Sequence, residues 1–407
     1  MPSARLRGLR AAWTVLTASA LAVSIGGCGA DESTSAASAP PPEPVVDIAQ
    51  LDTGNFPTQP RDLGKPASLE QARLVEAQRL GNYLPLPSAT DPIFVYNDGM
   101  WTNAFIDAKP LGAIMATERF PEAAPDFIGG FVTTACSERD NEGIDLLNAA
   151  LLFPSEQSAQ RAAAELERVD FEYNNRNQRV EIPKYPEAHA HWQPNGDQSI
   201  GSWYAVGRVV IYTWVYDYKL TYVKRHDLAG LQGLVERNLD AVIPAIKKFV
   251  PTPPDKLMEV DIDPDGVLGR TLPGTKDEGT SNPPGVYDGK SAVHFAVDMS
   301  ELSQVVADNG VDKFAFDGSE LFRARDAAGA ANVSSHLTKL SRKYRTEDSP
   351  RNLPHARCIE YIGRELLAFR FYCSVSHGRY AAYTWSSQLL DAQQRISAQY
   401  ALLVNAE

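Results

Sequence analysis

GRVVIYTW at Gly207–Trp214 and GRYAAYTW at Gly378–Trp385 are two versions of one stretch, 171 residues apart. Each reads as a β-strand entered through a Gly-Arg turn: aromatic and β-branched residues dominate, and no proline interrupts. Side chains alternate across a strand, so Tyr212, Trp214, Tyr216 and Tyr218 are expected to share one face. Tyr383 and Trp385 repeat the first two. Each strand then leads into an amphipathic helical pattern. Leu228, Leu231, Val235, Leu239, Val242, Ile246 and Phe249 step by three or four, and so do Leu389, Ala392, Ile396, Tyr400 and Leu403. Asp227 is placed to cap the first of these helices.

The likeness extends upstream. Gly143-Ile144-Asp145 aligns with Gly310-Val311-Asp312. Phe153, before the helical pattern Gln157–Val169, aligns with Phe322, before Ala327–Arg342. The expectation is one unit, β-α-β-β-β-α, copied once. Two copies do not stack into a solenoid. They make an α+β protein of two tandem related domains, each an antiparallel sheet packed by helices. The Pro/Gly-rich stretch Pro251–Asn282 divides them, placing the first domain at residues 46–255 and the second at residues 256–407. Near the start of the first, Asp47–Phe56 reads as a strand and Ser68–Leu80 as a helix with Gly81 at its end; Ile93–Met100 and Phe127–Ala135 read as strands.

Residues 1–27 read as an export signal. Arg5, Arg7 and Arg10 precede an apolar run, Ala11–Ile25, that is too short to span a bilayer. Ile25-Gly26-Gly27-Cys28 then resembles the cleavage and lipidation site of bacterial lipoproteins. Lipidated Cys28 would carry a diacylglyceryl group and fatty chains such as palmitate, and two chains hold a protein on a membrane where one binds only marginally. An ordinary secretory signal with an incidental cysteine is the simpler alternative. Residues 28–45, rich in Ala, Ser and Pro, cannot bury enough surface to offset ordering entropy and read as a flexible tether. The expected address is the extracytoplasmic face of the cell membrane. The formal net charge of −12 argues against nucleic-acid partners and leaves the lipid as the membrane contact. The sequence names no protein or envelope-molecule partner.

Outside the cell, cysteines tend to pair. Cys358 and Cys373 bracket two strand-like runs around a Gly363-Arg364-Glu365 turn, so a cross-strand bridge between them is the favoured pairing. The first copy has Ser202 where the second has Cys373. Cys136 is left over, either as a small buried hydrophobe or as a partner to one of the other two.

Candidate sites are few. Asp261, Asp263 and Asp265 with Gly266 match the start of a calcium loop, but Leu272 stands where the closing Glu belongs, and an acidic inter-domain turn explains them better. His189 and His191 share a strand face with Glu187 as metal ligands often do, yet partly exposed strand residues beside Trp192 explain them better. No metal or other cofactor is expected. Gly-x-Ser-x-Gly, His-Glu-x-x-His, Ser-x-x-Lys with Lys-Thr-Gly, and phosphate-loop patterns are missing from the sequence, so the chain is not read as an enzyme. Tyr212 and Trp214 are expected in the core, whereas Tyr216, Tyr218 and Tyr222, interrupted by Asp217 and Lys219, form the candidate ligand surface. Arg208 and Arg379 are expected to fix their turns by pairing with carboxylates.

Several segments in order carry a family resemblance: the lipidation site, LDTGNFPTQPR at Leu51–Arg61, DPDGVLGRTLP at Asp263–Pro273, the Gly-Val-Asp element, and GRYAAYTW with its closing helix. Together they resemble an actinobacterial family of lipoproteins of unknown function, over most of Val46–Glu407. A fainter likeness, in the hairpin cysteines and the closing strand-helix unit, is to extracellular sensor domains of actinobacterial receptor kinases, which implies ligand sensing by analogy of fold. The combined reading is a lipid-anchored envelope protein with a non-catalytic binding or scaffolding role. Its rivals are a receptor-like binder of apolar envelope molecules and a hydrolase whose site assembles only in space.

Overall fold

Alternating apolar runs broken by turns fold into two sheets of seven strands each in a computed structural model, which describes residues 46–97, 102–194, 196–274, 282–365 and 367–406. The leader, Cys28 and the tether lie outside the described residues. The first sheet contains β1 (Asn103–Phe105), β2 (Gly129–Cys136), β3 (Ile144–Leu152), β4 (Gln178–Arg179), β5 (His189–Trp192), β6 (Ser199–Val206) and β7 (Val209–Asp217), in the order β1-β2-β3-β7-β6-β5-β4. The second contains β8 (Gly285–Asp288), β9 (Lys313–Phe316), β10 (Glu320–Arg323), β11 (Tyr344–Glu347), β12 (Arg357–Tyr361), β13 (Phe371–His377) and β14 (Tyr380–Ser386), in the order β8-β9-β10-β14-β13-β12-β11. Strand for strand, the two orders are the same, and the paired strands of both run antiparallel.

Helices fill the same breaks. The short α2 (Phe120–Ala123) and α6 (Met299–Asp308) follow the first strand of each sheet. Next come α3 (Glu156–Tyr173), after β3, and α7 (Ala327–Leu337), after β10. Each module closes with a helix, α5 (Leu228–Ile246) or α8 (Leu389–Val404). Their starts are chemically marked: Ser155, Asp227, Asp298 and Asp326 each accept a backbone N–H from the first turn. Two helices stand outside the repeat, α1 (Leu69–Gly81), capped by Ser68, and α4 (Tyr218–Val223).

The repeated unit is therefore β-α-β-β-α-β-β-β-β-α, longer than its sequence expectation. The added strands are short or polar: β4 is Gln-Arg and β11 is Tyr-Arg-Thr-Glu. Edge strands of that kind carry no apolar alternation to read. Register also corrects two upstream matches. Leu152 pairs with Val209, and Arg323 pairs with Tyr380, so Phe153 corresponds to Ala324 rather than to Phe322. Gly143 lies in the β2–β3 hairpin whereas Gly310 lies between α6 and β9, so their triplets are not equivalent.

The Gly-Arg turns explain why the repeat is legible. Gly207 and Gly378 have φ of +54° and +50°, a backbone region that costs any residue with a Cβ. The following arginine reaches across the sheet. Arg208 Nε donates to the Phe153 carbonyl at 2.9 Å, and Arg379 Nε donates to the Ala324 carbonyl at 2.8 Å. The backbone returns the contact, with Phe153 N–H donating to Arg208 O and Ala324 N–H to Arg379 O. Each arginine thus fixes the point where the chain leaves the sheet for α3 or α7. The expected carboxylate partner is found only for Arg379, which meets Asp312 at 3.2 Å.

Helices cover both faces of each sheet. In the first module Ala159, Ala162 and Leu166 of α3 pack on Trp203, Val210 and Tyr212. Leu231, Val235 and Leu239 of α5 belong to the core on the other face, with Ile211 and Val215. In the second module α7 adjoins Phe322, Ala381 and Trp385, and α8 adjoins Ala382, Cys358 and Cys373. The α5 face and the α7 face merge into one apolar cluster, so the modules share a core. Phe131 anchors it, with its ring 6.0 Å from Tyr287 and 5.5 Å from His294.

The expected strand over Asp47–Phe56 is instead a single 3-10 turn, Ile48–Gln50, followed by extended chain. Its apolar residues, Ile48, Leu51 and Leu63, pack on the α8 side of the second sheet, and Arg61 Nη2 meets Asp317 at 3.0 Å. The strand expected at Ile93–Met100 reduces to Tyr96, bridging Cys136 and Asp298; residues 98–100 lie outside the described ones. No helix among the described residues is long and apolar enough to cross a membrane.

Candidate functional site

The largest concentration of buried charge in the first module lies under α3. His191 leaves β5 toward the helix and sits between two of its carboxylates. Nδ1 is 3.2 Å from Glu167 Oε1, and Nε2 is 3.1 Å from Asp170 Oδ2. Burial opposes the imidazolium, but hydrogen bonds from Asp170 and Glu167 outweigh it and raise the His191 pKa above its ordinary value. Burial likewise opposes ionisation of Glu167, and its bonds to His191 and Arg179 outweigh that and lower its pKa. Beneath the imidazole, Trp203 stacks at 5.2 Å, and Tyr212 stacks on Trp203 at 4.7 Å. The cluster also holds the loop above it: Asp170 Oδ1 accepts the Ala116 N–H at 2.6 Å, and Tyr212 Oη donates to the Ile114 carbonyl at 3.0 Å.

Beside this cluster opens a cavity of about 400 Å³. Its walls include Asp170, His191, Asp197, Trp214 and Tyr216, with the Gly112–Ala116 segment along one side. Trp214 and Tyr216 lie 5.6 Å apart and form an aromatic wall. Asn177 donates both amide hydrogens, to the Asp170 and Phe171 carbonyls at 3.2 Å each, and among the described residues its buried Oδ1 has no partner. Gln193 Oε1 is buried at the same cavity and likewise has no partner among the described residues. Unsatisfied acceptors of this kind cost stability and are uncommon in folded proteins.

Of the three tyrosines expected to form a ligand surface, only Tyr216 reaches this cavity. Its hydroxyl donates to Asp197 at 3.2 Å. Tyr218 leaves the strand alternation, because the Asp217 carboxylate caps α4 by accepting the Leu220 N–H at 2.9 Å; its ring still packs 4.4 Å from Tyr216. Tyr222 stands on α4, 78% exposed and away from the cavity. The two residues missed by sequence reading, Glu167 and Asp170, had one available signal. They flank Val169 on a helix whose inner face is otherwise Ala and Leu, and a carboxylate there calls for a buried cation.

The remaining sequence candidates have other partners. His189 and Glu187 are exposed, apart from buried His191. Asp263 accepts the Val267 and Gly269 N–H groups, Asp261 pairs with Lys65, and Asp265 pairs with Lys313 and Arg323, so the three carboxylates diverge. Among the described residues no group of three His, Cys, Asp or Glu side chains is arranged to hold a metal. Cys358 and Cys373 stand directly opposite each other on β12 and β13 and form a disulfide. Cys136 is buried, outside that disulfide, and its Sγ donates to the Tyr96 carbonyl at 3.5 Å. A hydroxyl does meet a histidine, Thr133 Oγ1 with His294 Nδ1 at 2.8 Å, but both are sealed in the shared core. Burial lowers that histidine to about 4.

Two family models match the chain. The one described as domain of unknown function (DUF7373) N-terminal covers residues 63–262, and the one described as domain of unknown function (DUF7373) C-terminal covers residues 267–406. No curated protein matches it. Among solved structures, the extracellular domain of PknH from Mycobacterium tuberculosis is similar, with 11% identity over 42% of this chain and 97% of that one and a TM-score of 0.30.

Proposed function

We propose that this chain, which belongs to the DUF7373 family along both of its modules, is an exported and lipid-anchored cell-envelope protein that binds a polyhydroxylated molecule without transforming it. The export signal, Cys28 and the tether motivate the address. One observation carries the binding role: the first module holds a polar cavity of about 400 Å³ with an aromatic wall, Trp214 and Tyr216, beside a fixed array of carboxylates and amides. Sugars present alternating C–H faces and hydroxyls. An aromatic wall covers the former, while acceptors such as Asp170, Asp197 and Gln193 answer the latter. The cavity size falls in the usual range of small-molecule sites. The Thr133–His294 pair lies away from any opening, which supports a role without catalysis.

Two measurements test this reading. Mass spectrometry of the amino-terminal peptide from native membranes should find a diacylglyceryl group on Cys28; an unmodified terminus beyond Cys28 removes the address. Titration of the full chain with a panel of hexoses, pentoses and disaccharides should perturb tryptophan fluorescence, and Trp214→Ala should abolish binding while leaving the circular dichroism spectrum intact. A panel without a single binder, or binding untouched by Trp214→Ala, overturns the site.

A further inference from the structure

Glu320 stands in the middle of an aromatic sheet face. Strand pairing sets it opposite Phe316 on β9 and Tyr383 on β14, and alternation puts Phe322 on the same side. The matching residue of the first module is Ala149, fully buried opposite Tyr212. In that module the tyrosine hydroxyl donates to a carbonyl. In the second module, among the described residues, neither the Glu320 carboxyl nor the Tyr383 hydroxyl has a hydrogen-bond partner. Both line a half-open cavity of about 270 Å³, to which α6 and α7 contribute Leu302 and Leu337. Phe295, Phe314, Leu302 and Leu337 are among its apolar walls. The other ionisable groups at its edge are engaged with one another or with backbone. Glu301 meets Lys339 at 2.7 Å and His336 at 3.8 Å, and Asp298 accepts the Glu301 N–H at 3.0 Å. Glu320 is half-buried, its carboxyl still reached by solvent through the cavity, and the loss of most of its water raises it to about 7.

A lone carboxyl half-buried among aromatic rings, with no donor beside it, costs stability even though solvent reaches it. The twin module shows that the fold does not need one there, since alanine serves. A group that costs stability and has no internal partner points to an external one. We propose that this cavity binds an apolar primary amine, its ammonium group donating to the Glu320 carboxylate and the Tyr383 hydroxyl and its alkyl or aryl body lying among Phe295, Phe314 and Phe322. An ammonium offers three donors and the compensating charge. It also gains from aromatic faces close by. A neutral alcohol of the same shape offers one donor and leaves the carboxylate charge unbalanced. This site is independent of the polar cavity of the first module, so either proposal can fail without the other.

The test is calorimetric titration of the full chain, held in lipid nanodiscs, with 2-phenylethylamine and with 2-phenylethanol at pH 8. The amine should bind at least about tenfold more tightly than the alcohol, the selectivity expected of a charge-assisted hydrogen bond. Glu320→Gln should remove that difference and leave alcohol binding unchanged. Leu337→Trp, which fills the cavity, should abolish binding of both. Equal affinity for the two probes, binding of neither, or an amine affinity unchanged in Glu320→Gln overturns the proposal.

Discussion

The two modules share strand order, register and an arginine that holds the carbonyl just after β3 or β10, yet they place charge differently beneath the same helix. Under α3, the first module buries Glu167, His191 and Asp170 beside stacked Trp203 and Tyr212. At the corresponding place the second module has three neutral hydroxyls: Ser334 of α7 and Thr338, which ends that helix, meet Ser374 of β13 at 3.1 and 2.9 Å. One strand further along, the arrangement reverses, with Ala149 in the first module and Glu320 in the second. On the opposite face, Ala190 and Ser202 pair across β5 and β6 where Cys358 and Cys373 are bridged across β12 and β13. The backbone plan is thus carried by turns, register and apolar area, and it tolerates either chemistry at helix-facing positions. Each module is specialised at a place where its twin is bland.

The largest expected effect breaks the charged cluster. His191→Ala leaves Glu167 and Asp170 facing each other with only Arg179 to balance them, and removal of one partner from a buried ionic group costs about 3–5 kcal/mol. Ser374→Ala, the nearest counterpart in the second module, removes neutral hydrogen bonds and should cost about 1 kcal/mol. Urea unfolding of the two variants should show that ratio; equal losses would mean the modules differ in name only. The pH dependence has a definite sign. His191 titrates higher in the folded state, so its contribution is present below the ordinary histidine range and is lost as pH rises through its folded value. Glu167 titrates lower in the folded state, so its contribution is present above the ordinary carboxylate range and is lost on acidification. Wild-type stability should therefore fall on both sides of a mid-pH maximum, and His191→Ala should flatten the alkaline side.

Glu320 predicts the opposite behaviour. Its carboxyl is raised to about 7, so the folded state holds its proton more tightly than the unfolded chain does. Stability of the wild type falls as pH rises from the ordinary carboxylate range toward 7. Glu320→Gln should consequently stabilise the protein at pH 8, by about 1–3 kcal/mol given the size of the shift, and should be neutral at pH 4. Thermal melts at the two pH values decide the matter. A Glu320→Gln protein that is less stable at pH 8 would show that the carboxyl is a structural member of the second module rather than a burden on it.

Much of this plan can be read in the chain before folding. β7 and β14 declare themselves through Gly-Arg starts and aromatic alternation, and α3, α5 and α8 through apolar steps of three and four. What stays hidden follows from physics that one sequence does not display. The edge strands β4 and β11 are short and polar, and show no apolar alternation. The stretch from Ile48 to Leu63 carries too few apolar residues to reveal that they pack on the distant module. Tyr218 departs from the expected face because one side chain, Asp217, starts a helix where alternation alone predicts more strand. The cluster around His191 needs both the register of β5 and the rotation of α3 to assemble, and the sequence shows His191 as unrelated to carboxylates twenty-one and twenty-four positions before it.

The smallest expected effect sharpens the likeness instead of the difference. Arg208→Ala and Arg379→Ala each remove one charge-assisted donor from the carbonyl that ends β3 or β10, and each should cost about 1–2 kcal/mol. Lysine should rescue neither, because the contact is made by a guanidinium Nε and an ammonium on a flexible stem does not reproduce its planar geometry. A small inequality is expected between the twins. Arg379 also meets Asp312, at 3.2 Å and half exposed, whereas Arg208 has only a long contact to the Thr252 carbonyl at 3.5 Å. Exposed pairs of that kind contribute about 0–1 kcal/mol and are screened by salt. Denaturation at low and high ionic strength should therefore show the Arg379→Ala deficit shrinking toward the Arg208→Ala value as salt rises, with the carbonyl contact common to both modules remaining. If one variant is silent at both ionic strengths, the Gly-Arg turn is a shared sequence without a shared structural role.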